Sequence, residues 1–139
     1  MGIFKRKKSK TKHTEKQWKI EKKCLNLIFE SAKSTYPNEF GGLLRVDDDL
    51  KDTINEVVLL PGTISGESHA IFKMHMRPID FNLVGTIHSH PSYSFHPSST
   101  DLQLFQKHGK IHIITANPFN DKSWGAYENT GKKIDIEVI

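Results

Sequence analysis

The 139-residue sequence contains a single cysteine, Cys24. One cysteine cannot form a disulfide within the chain, and it cannot supply the groups of thiolates that build many structural zinc sites. A zinc site in this chain must therefore use histidine and carboxylate ligands. The scarcity of cysteine indicates a reducing, intracellular compartment. Cys24 lies among apolar residues and is interpreted as a small core residue rather than a nucleophile.

The sequence also lacks a long hydrophobic run. The N-terminal stretch MGIFKRKKSKTKH is basic, but the apolar segment that a secretory signal requires does not follow it. No segment approaches the roughly 20 apolar residues of a membrane span. We therefore expect a soluble, cytoplasmic protein that has no membrane partner.

Positive charge is concentrated at the N-terminus. The formal net charge is +4, yet residues 1–12 contain six basic and no acidic residues, so the rest is slightly acidic. Residues 1–13 are interpreted as a basic, disordered leader, with contact to nucleic acid or an acidic partner as the alternative. Nothing elsewhere favours nucleic-acid binding. Residues 14–139 are predicted to form one domain, because the chain is too short for two ordinary ones.

Apolar spacing predicts a helix and a hairpin in the first half of the chain. Thr14 and Gln17 fit a capping box at the start of an amphipathic helix over residues 15–34. The stretches NEFGGLLRV and TINEVVLLPG predict two strands joined by a polar turn. Residues 68–77 also have strand-like character.

The second half predicts a strand, helix and strand in succession, followed by a hairpin. NLVGTIHSH and KIHIITANP are apolar enough for buried strands, and SSTDLQLFQKHG between them predicts a helix that ends near Gly109. This order indicates a βαβ crossover. The stretch SWGAYENTGKKIDIEVI predicts a C-terminal hairpin that turns at residues 129–131 and has one solvated face.

Two histidines and an aspartate stand at the end of the first buried strand. Side chains alternate along a strand, so His88 and His90 project from one face at its carboxyl end. Asp101 falls in the first turn of the next helix, where the helix dipole favours a carboxylate. These residues form a nitrogen and oxygen ligand set suited to one zinc ion, with a fourth position open as in catalytic sites. The alternative is a pair of solvated strand histidines.

The other histidines and metal motifs are less informative. The chain lacks both the H-E-x-x-H motif of helical zinc proteases and the P-C-x-x-C motif of zinc deaminases. His96 could be a spare ligand but is interpreted mainly as a surface residue. The remaining histidines are assigned no metal role: His69 and His75 are interpreted as strand residues, His108 as a cation at a helix C-terminus, and His112 as a strand residue.

The site residues resemble the signature of the JAMM (MPN+) metalloprotease family. The family pattern is a glutamate, then H-S/T-H-P, then S-x-x-D, and Glu39, residues 88–91 and residues 98–101 fill every position. The resemblance extends from about residue 15 to the end. The chain is similar to the compact prokaryotic, archaeal form, because it lacks the long insertions of eukaryotic deubiquitinating members.

This resemblance implies a fold and a chemistry. The fold is a three-layer α/β/α domain with a mixed central sheet, related to the cytidine deaminases. His88, His90 and Asp101 are implied to bind one zinc, Glu39 to act as general acid/base, and Ser98 to stabilise the oxyanion. The implied activity is deubiquitinase- or desampylase-like hydrolysis at the carboxyl terminus of a ubiquitin-like modifier. Processing of a ubiquitin-like sulfur carrier protein and a non-catalytic binding scaffold are the alternatives.

Two of these residues also have simpler interpretations. Ser98 can be an N-cap residue and nothing more, with Asp101 three residues later. Alternatively, its one hydroxyl both caps the helix and stabilises the oxyanion. Glu39, considered without the resemblance, is a surface acid after a proline turn. The glycines at 41 and 42 either let backbones pass closely beside the site or relieve a bulged strand.

Overall fold

The computed structural model describes residues 17–59 and 80–139. Within these ranges, no helix is both long and apolar enough to cross a membrane. The basic leader and the strand-like residues 68–77 lie outside the described residues. The elements in chain order are β1 (Lys19–Ile20), α1 (Lys22–Thr35), β2 (Gly41–Val46), β3 (Thr53–Leu59), β4 (Leu83–His90), α2 (Ser99–Lys107), β5 (Ile111–Ala116), β6 (Trp124–Glu128), β7 (Lys133–Ile134) and β8 (Glu137–Val138).

The strands form one mixed sheet in the order β7-β6-β5-β4-β2-β3-β1-β8. The predicted hairpin is confirmed, because β2 pairs antiparallel with β3. The predicted βαβ crossover is also confirmed, because β4 and β5 are parallel neighbours connected through α2. The strand that carries the two histidines therefore lies in the middle of the sheet, between β2 and β5.

Helices cover the two faces of this sheet, as expected for a three-layer α/β/α domain. The apolar side of α1, including Cys24 and Ile28, packs in a cluster with Ile87 and Ile113. On the opposite face, Phe105 of α2 packs with Ile114 and Tyr127. Neighbouring residues of β5 thus belong to different clusters, because successive strand side chains point to opposite faces. Cys24 is buried, as predicted for a core residue.

The predicted start of the first helix is wrong. Helix α1 begins at Lys22 rather than residue 15, and Gln17 lies outside it, while Thr14 of the predicted capping box is not among the described residues. Trp18 and Ile20 are buried, but they belong to an extended segment whose strand β1 pairs with β3 and β8. Trp18 and Ile20 are at helical spacing from Leu25 and Cys24 respectively, but they also alternate about Lys19 as in a strand, and pairing with a distant strand decided between the two.

The predicted C-terminal hairpin is correct only for its first half. β6 and β7 pair antiparallel over two positions. The chain then leaves this hairpin, and β8 pairs in parallel with β1 at the other edge of the sheet. Only Asp135 and Ile136 separate the two outer strands, a connection that spans about 10 Å at most. The sheet therefore curls until its edges meet.

Gly85 allows β4 and β5 to approach each other. A Cβ atom at this position would overlap the backbone carbonyl of Ile111. Backbone atoms cannot move aside by changing rotamer, so the strands would have to separate. Separating the strands would also disturb the pairing that holds His88 beside Ile114.

Replacing Gly85 by alanine is expected to destabilise the fold near the upper end of the about 1–3 kcal/mol typical of overpacked cores. Chemical denaturation of the metal-free protein measures this loss. The control Asn26→Ala, at an exposed position of α1, should stay within about 0.5 kcal/mol of the parent. A Gly85→Ala protein as stable as that control would contradict the close approach of the two strands.

Candidate metal centre

Three side chains converge at the carboxyl end of β4, as the sequence predicts. His88 and His90 lie with their Nε2 atoms 3.3 Å apart. The Nε2 atom of His88 is 3.1 Å from Oδ1 of Asp101, and the Nε2 atom of His90 is 3.2 Å from Oδ2 of the same carboxylate. These residues form the one group of candidate metal ligands found in the described parts of the chain.

The spacing of these atoms fits a zinc ion. Two ligand atoms at about 2.0 Å from a tetrahedral metal lie about 3.3 Å from each other, which is close to the separations here. The atoms are also all electron-pair donors that face one another. Such an arrangement is unfavourable unless a cation or a proton lies between them. Two imidazoles and one carboxylate form a nitrogen and oxygen set that zinc accepts, with one coordination position left over.

A backbone carbonyl orients His90. Its Nδ1 atom lies 2.9 Å from the carbonyl oxygen of Ser94. Because a carbonyl can only accept, the neutral ring carries its hydrogen on Nδ1 and presents the lone pair of Nε2 to the other ligands. Burial alone would lower the pKa of His90, but the Asp101 carboxylate, the Ser94 carbonyl and the charge of Glu39 together raise it. The site therefore favours positive charge.

Helix α2 supplies the third candidate ligand, Asp101, through its first turn. Ser98 is the N-cap residue: its Oγ accepts the backbone N–H of Asp101, and its own N–H donates to Oδ2 of Asp101 at 2.9 Å. Burial would raise the pKa of Asp101, but the facing imidazoles of His88 and His90 and the hydrogen bond from the Ser98 amide hold it well below its usual range. The carboxylate is thus ionised and fixed in place.

The structure confirms that Ser98 is a helix cap. In this cap its oxygen is the acceptor, so the O–H group keeps the capacity to donate a further hydrogen bond. The Ser98 residue is exposed to solvent. A hydroxyl that caps the helix on one side can therefore still donate to a molecule bound at the metal centre.

Glu39 lies beside the ligands but is not one of them. Its charge reaches His90, and its Oε1 atom is buried without a hydrogen-bond partner among the described residues. The next residue, Phe40, donates its backbone N–H to Oγ of Ser89 at 2.8 Å and accepts the N–H of Ser89 at 2.9 Å. This pair of bonds joins the segment that carries Glu39 to the strand that carries the histidines.

Sequence reasoning missed Ser89, Ser94 and Thr86 as supporting residues. Ser89 stands between the two histidines of the motif, and alternation along the strand turns it to the opposite face of the sheet. A structural role for Ser89 could therefore have been predicted from this alternation. The Ser94 carbonyl left no signal, because a backbone acceptor can belong to any residue type.

A buried layer lies directly below the ligands. Nε2 of His112 lies 3.1 Å from the Gly109 carbonyl, so it carries the hydrogen, and Nδ1 accepts the hydroxyl of Thr86 at 2.7 Å. Burial lowers the pKa of His112 to about 4. The ring stacks on Phe105 with centroids 4.3 Å apart. His112 is therefore a neutral strand residue with both nitrogens engaged, as expected for a residue that is not a ligand.

The positions of the other described histidines agree with their sequence-based interpretations. His96 is exposed on the loop after β4, outside the ligand group. His108 is the C-cap residue of α2 and is buried. His69 and His75 lie outside the described residues.

Removing Asp101 tests the centre directly. Asp101→Ala is expected to lose zinc, with an affinity drop beyond the about 10–100-fold that outer-shell substitutions cause, because two imidazoles alone hold the ion poorly. Elemental analysis should find about one zinc per parent chain. The control Asp121→Ala, at an exposed turn position, should keep it. An Asp101→Ala protein that binds one zinc as tightly as the parent would show that Asp101 is not a ligand.

Comparison with known proteins places this geometry in a family. Residues 21–127 match the family of prokaryotic homologues of the JAB domain. A protein of Haloferax volcanii described as a probable metalloprotease is 33% identical over 123 residues, which cover 84% of this chain and 76% of that protein.

Solved structures agree with this match. A JAB1/MPN domain protein from Archaeoglobus fulgidus is 37% identical, with a TM-score of 0.70 over 87% of this chain and 98% of its own. A second structure, described as a JAMM metalloprotease-like zinc site in the proteasome and signalosome, is 35% identical, also with a TM-score of 0.70, and covers 88% of this chain and 98% of its own. With its His-His-Asp centre and this three-layer fold, the chain belongs to the prokaryotic JAB family of JAMM-type, metalloprotease-like proteins.

Proposed function

We propose that this protein is a zinc-dependent isopeptidase or peptidase that hydrolyses the bond at the carboxyl terminus of a ubiquitin-like modifier. The observation that carries the proposal is the separation of two roles at one centre. Three side chains form a candidate metal-binding group, while Glu39 lies next to it with its Oε1 atom unpartnered among the described residues. This oxygen is therefore available for proton transfer at the centre.

Glu39 is suited to proton transfer. Zinc, when bound, supplies Lewis acidity that activates a water molecule and polarises the scissile carbonyl. The Glu39 carboxylate then accepts a proton from the attacking water and delivers it to the nitrogen of the leaving amine. The two hydrogen bonds between Phe40 and Ser89 hold the backbone next to Glu39 against β4, which carries the two histidines, during this proton transfer.

Ser98 supplies a donor next to Asp101. Its hydroxyl can donate to the oxygen of the attacked carbonyl, where negative charge develops only in the transition state. Because the cap bond uses the oxygen of Ser98 as an acceptor, donation to the substrate does not require the helix to lose its cap. Glu39 and Ser98 thus act on the leaving nitrogen and the carbonyl oxygen respectively.

The surroundings of the centre support a macromolecular substrate with an extended tail. His90 is only half-buried, and the loop that follows it is exposed, with the Tyr93 side chain 78% accessible. A linear peptide can therefore reach the ligands without opening the core. The H. volcanii relative is described as a probable metalloprotease, which supports cleavage of an amide bond. The choice of a modifier ending in Gly-Gly rests on the JAMM resemblance.

The direct test combines one substrate with two glutamate variants. The zinc-loaded protein is incubated with a ubiquitin-fold protein that ends in Gly-Gly and is joined to a lysine side chain, and the products are weighed by mass spectrometry. We expect release of the free modifier, inhibition by a chelator, and a rate loss on the order of 10²-fold or more for Glu39→Gln with zinc retained. Glu30→Gln, on the exposed side of α1, is the matched control.

The outcomes separate the parts of the proposal. A Glu39→Gln protein that binds zinc and cleaves at the parent rate would show that Glu39 is not the proton carrier. A parent protein that binds zinc but leaves the conjugate intact, while releasing cysteine from a modifier with a C-terminal cysteine, would assign it to carrier processing. Zinc binding with no cleavage of either substrate would favour a scaffold.

A further inference from the structure

The loop between β4 and α2 connects the ligands of the metal centre. Residues 91–97 follow His90 and precede Ser98 and Asp101, and most of them are exposed. The loop has no helix or strand of its own, yet it supplies the Ser94 carbonyl that orients His90. An exposed loop can hold a ligand in one orientation only if it is itself attached to the core.

A buried tyrosine on a different strand provides such an attachment. Tyr127 of β6 is only 2% exposed, and its hydroxyl donates to the carbonyl oxygen of Phe95 at 2.6 Å. Phe95 is the residue after Ser94, and its ring packs against the cluster of Phe105, Ile114 and Tyr127. The loop is thus fixed at Phe95, one residue from the carbonyl that contacts His90.

The packing around this hydrogen bond is close. A Cβ atom at Gly125 would lie 2.8 Å from Oη of Tyr127 and 3.0 Å from Cδ1 of Phe95. Glycine at this position therefore leaves room for the hydroxyl and the ring together. Burial, and then the charge of Asp101, raise the pKa of Tyr127 to about 12. The phenol keeps its proton near neutral pH and remains a donor.

We propose that Tyr127 is a positioning residue for the metal centre: by holding the Phe95 carbonyl, it keeps the Ser94 carbonyl where it orients His90 towards the ion. Tyr127 touches neither the ion nor a substrate in this role, so its effect passes through the loop and His90. The proposal depends on zinc binding and is independent of the substrate that the protein cleaves.

Tyr127→Phe tests it, because the variant removes one hydroxyl and keeps the ring. Zinc affinity is measured by competition with a chromophoric chelator, and coordination geometry by the visible spectrum of the cobalt-substituted protein. We expect about tenfold weaker zinc binding, at the lower end of outer-shell effects, together with an altered cobalt spectrum. Tyr36→Phe, on a half-exposed tyrosine, is the matched control and should change neither.

Both measurements distinguish positioning from a general loss of stability. A variant that is merely less stable would still give the parent cobalt spectrum once folded and loaded. If Tyr127→Phe binds zinc as tightly as the parent and has its spectrum, the proposal is wrong. Gly125→Ala, which crowds the same hydroxyl and ring, should reproduce both changes, and it decides the question by the same measurements if Tyr127→Phe does not fold.

Discussion

The structure depends on the convergence of three electron-pair donors at the carboxyl end of β4. Nε2 of His88, Nε2 of His90 and the Asp101 carboxylate lie about as far apart as neighbouring ligands of one tetrahedral ion. Without a cation, these groups would repel one another or need a proton between them. Neighbouring elements keep the three side chains from moving apart, because a central strand holds the two histidines and the capping box of α2 fixes the aspartate.

The same elements keep the candidate metal ligands apart from Glu39, the proposed proton carrier. The ligands come from β4 and α2, whereas Glu39 precedes β2 and is linked to β4 through Phe40 and Ser89. Because β2 and β4 are paired antiparallel, the start of one strand meets the end of the other. A carboxylate placed before β2 therefore reaches the metal centre without competing for a coordination position.

Support for the centre extends outward through several layers. Thr86 and His112 form a neutral, fully bonded layer beneath it, and Phe105 packs both on His112 and against Tyr127. From there the hydroxyl of Tyr127 reaches back to the loop that orients His90. The backbone carbonyl of Ser94 contacts the His90 imidazole, and the proposed role of Tyr127 is to hold the loop that carries this carbonyl, since a metal site tolerates little rotation of its ligands.

The sequence by itself determined the local features of this protein. Alternation along one strand put His88 and His90 on one face, and a serine three residues before Asp101 marked the start of α2; both follow from short-range geometry. Tertiary structure alone decided the rest. The sequence could not show that Lys19 and Ile20 form a strand next to β3, that β8 leaves its expected hairpin to pair with that strand, or that Tyr127 reaches Phe95. These contacts join residues far apart in the chain, and their free energy depends on pairing and burial that no local pattern encodes.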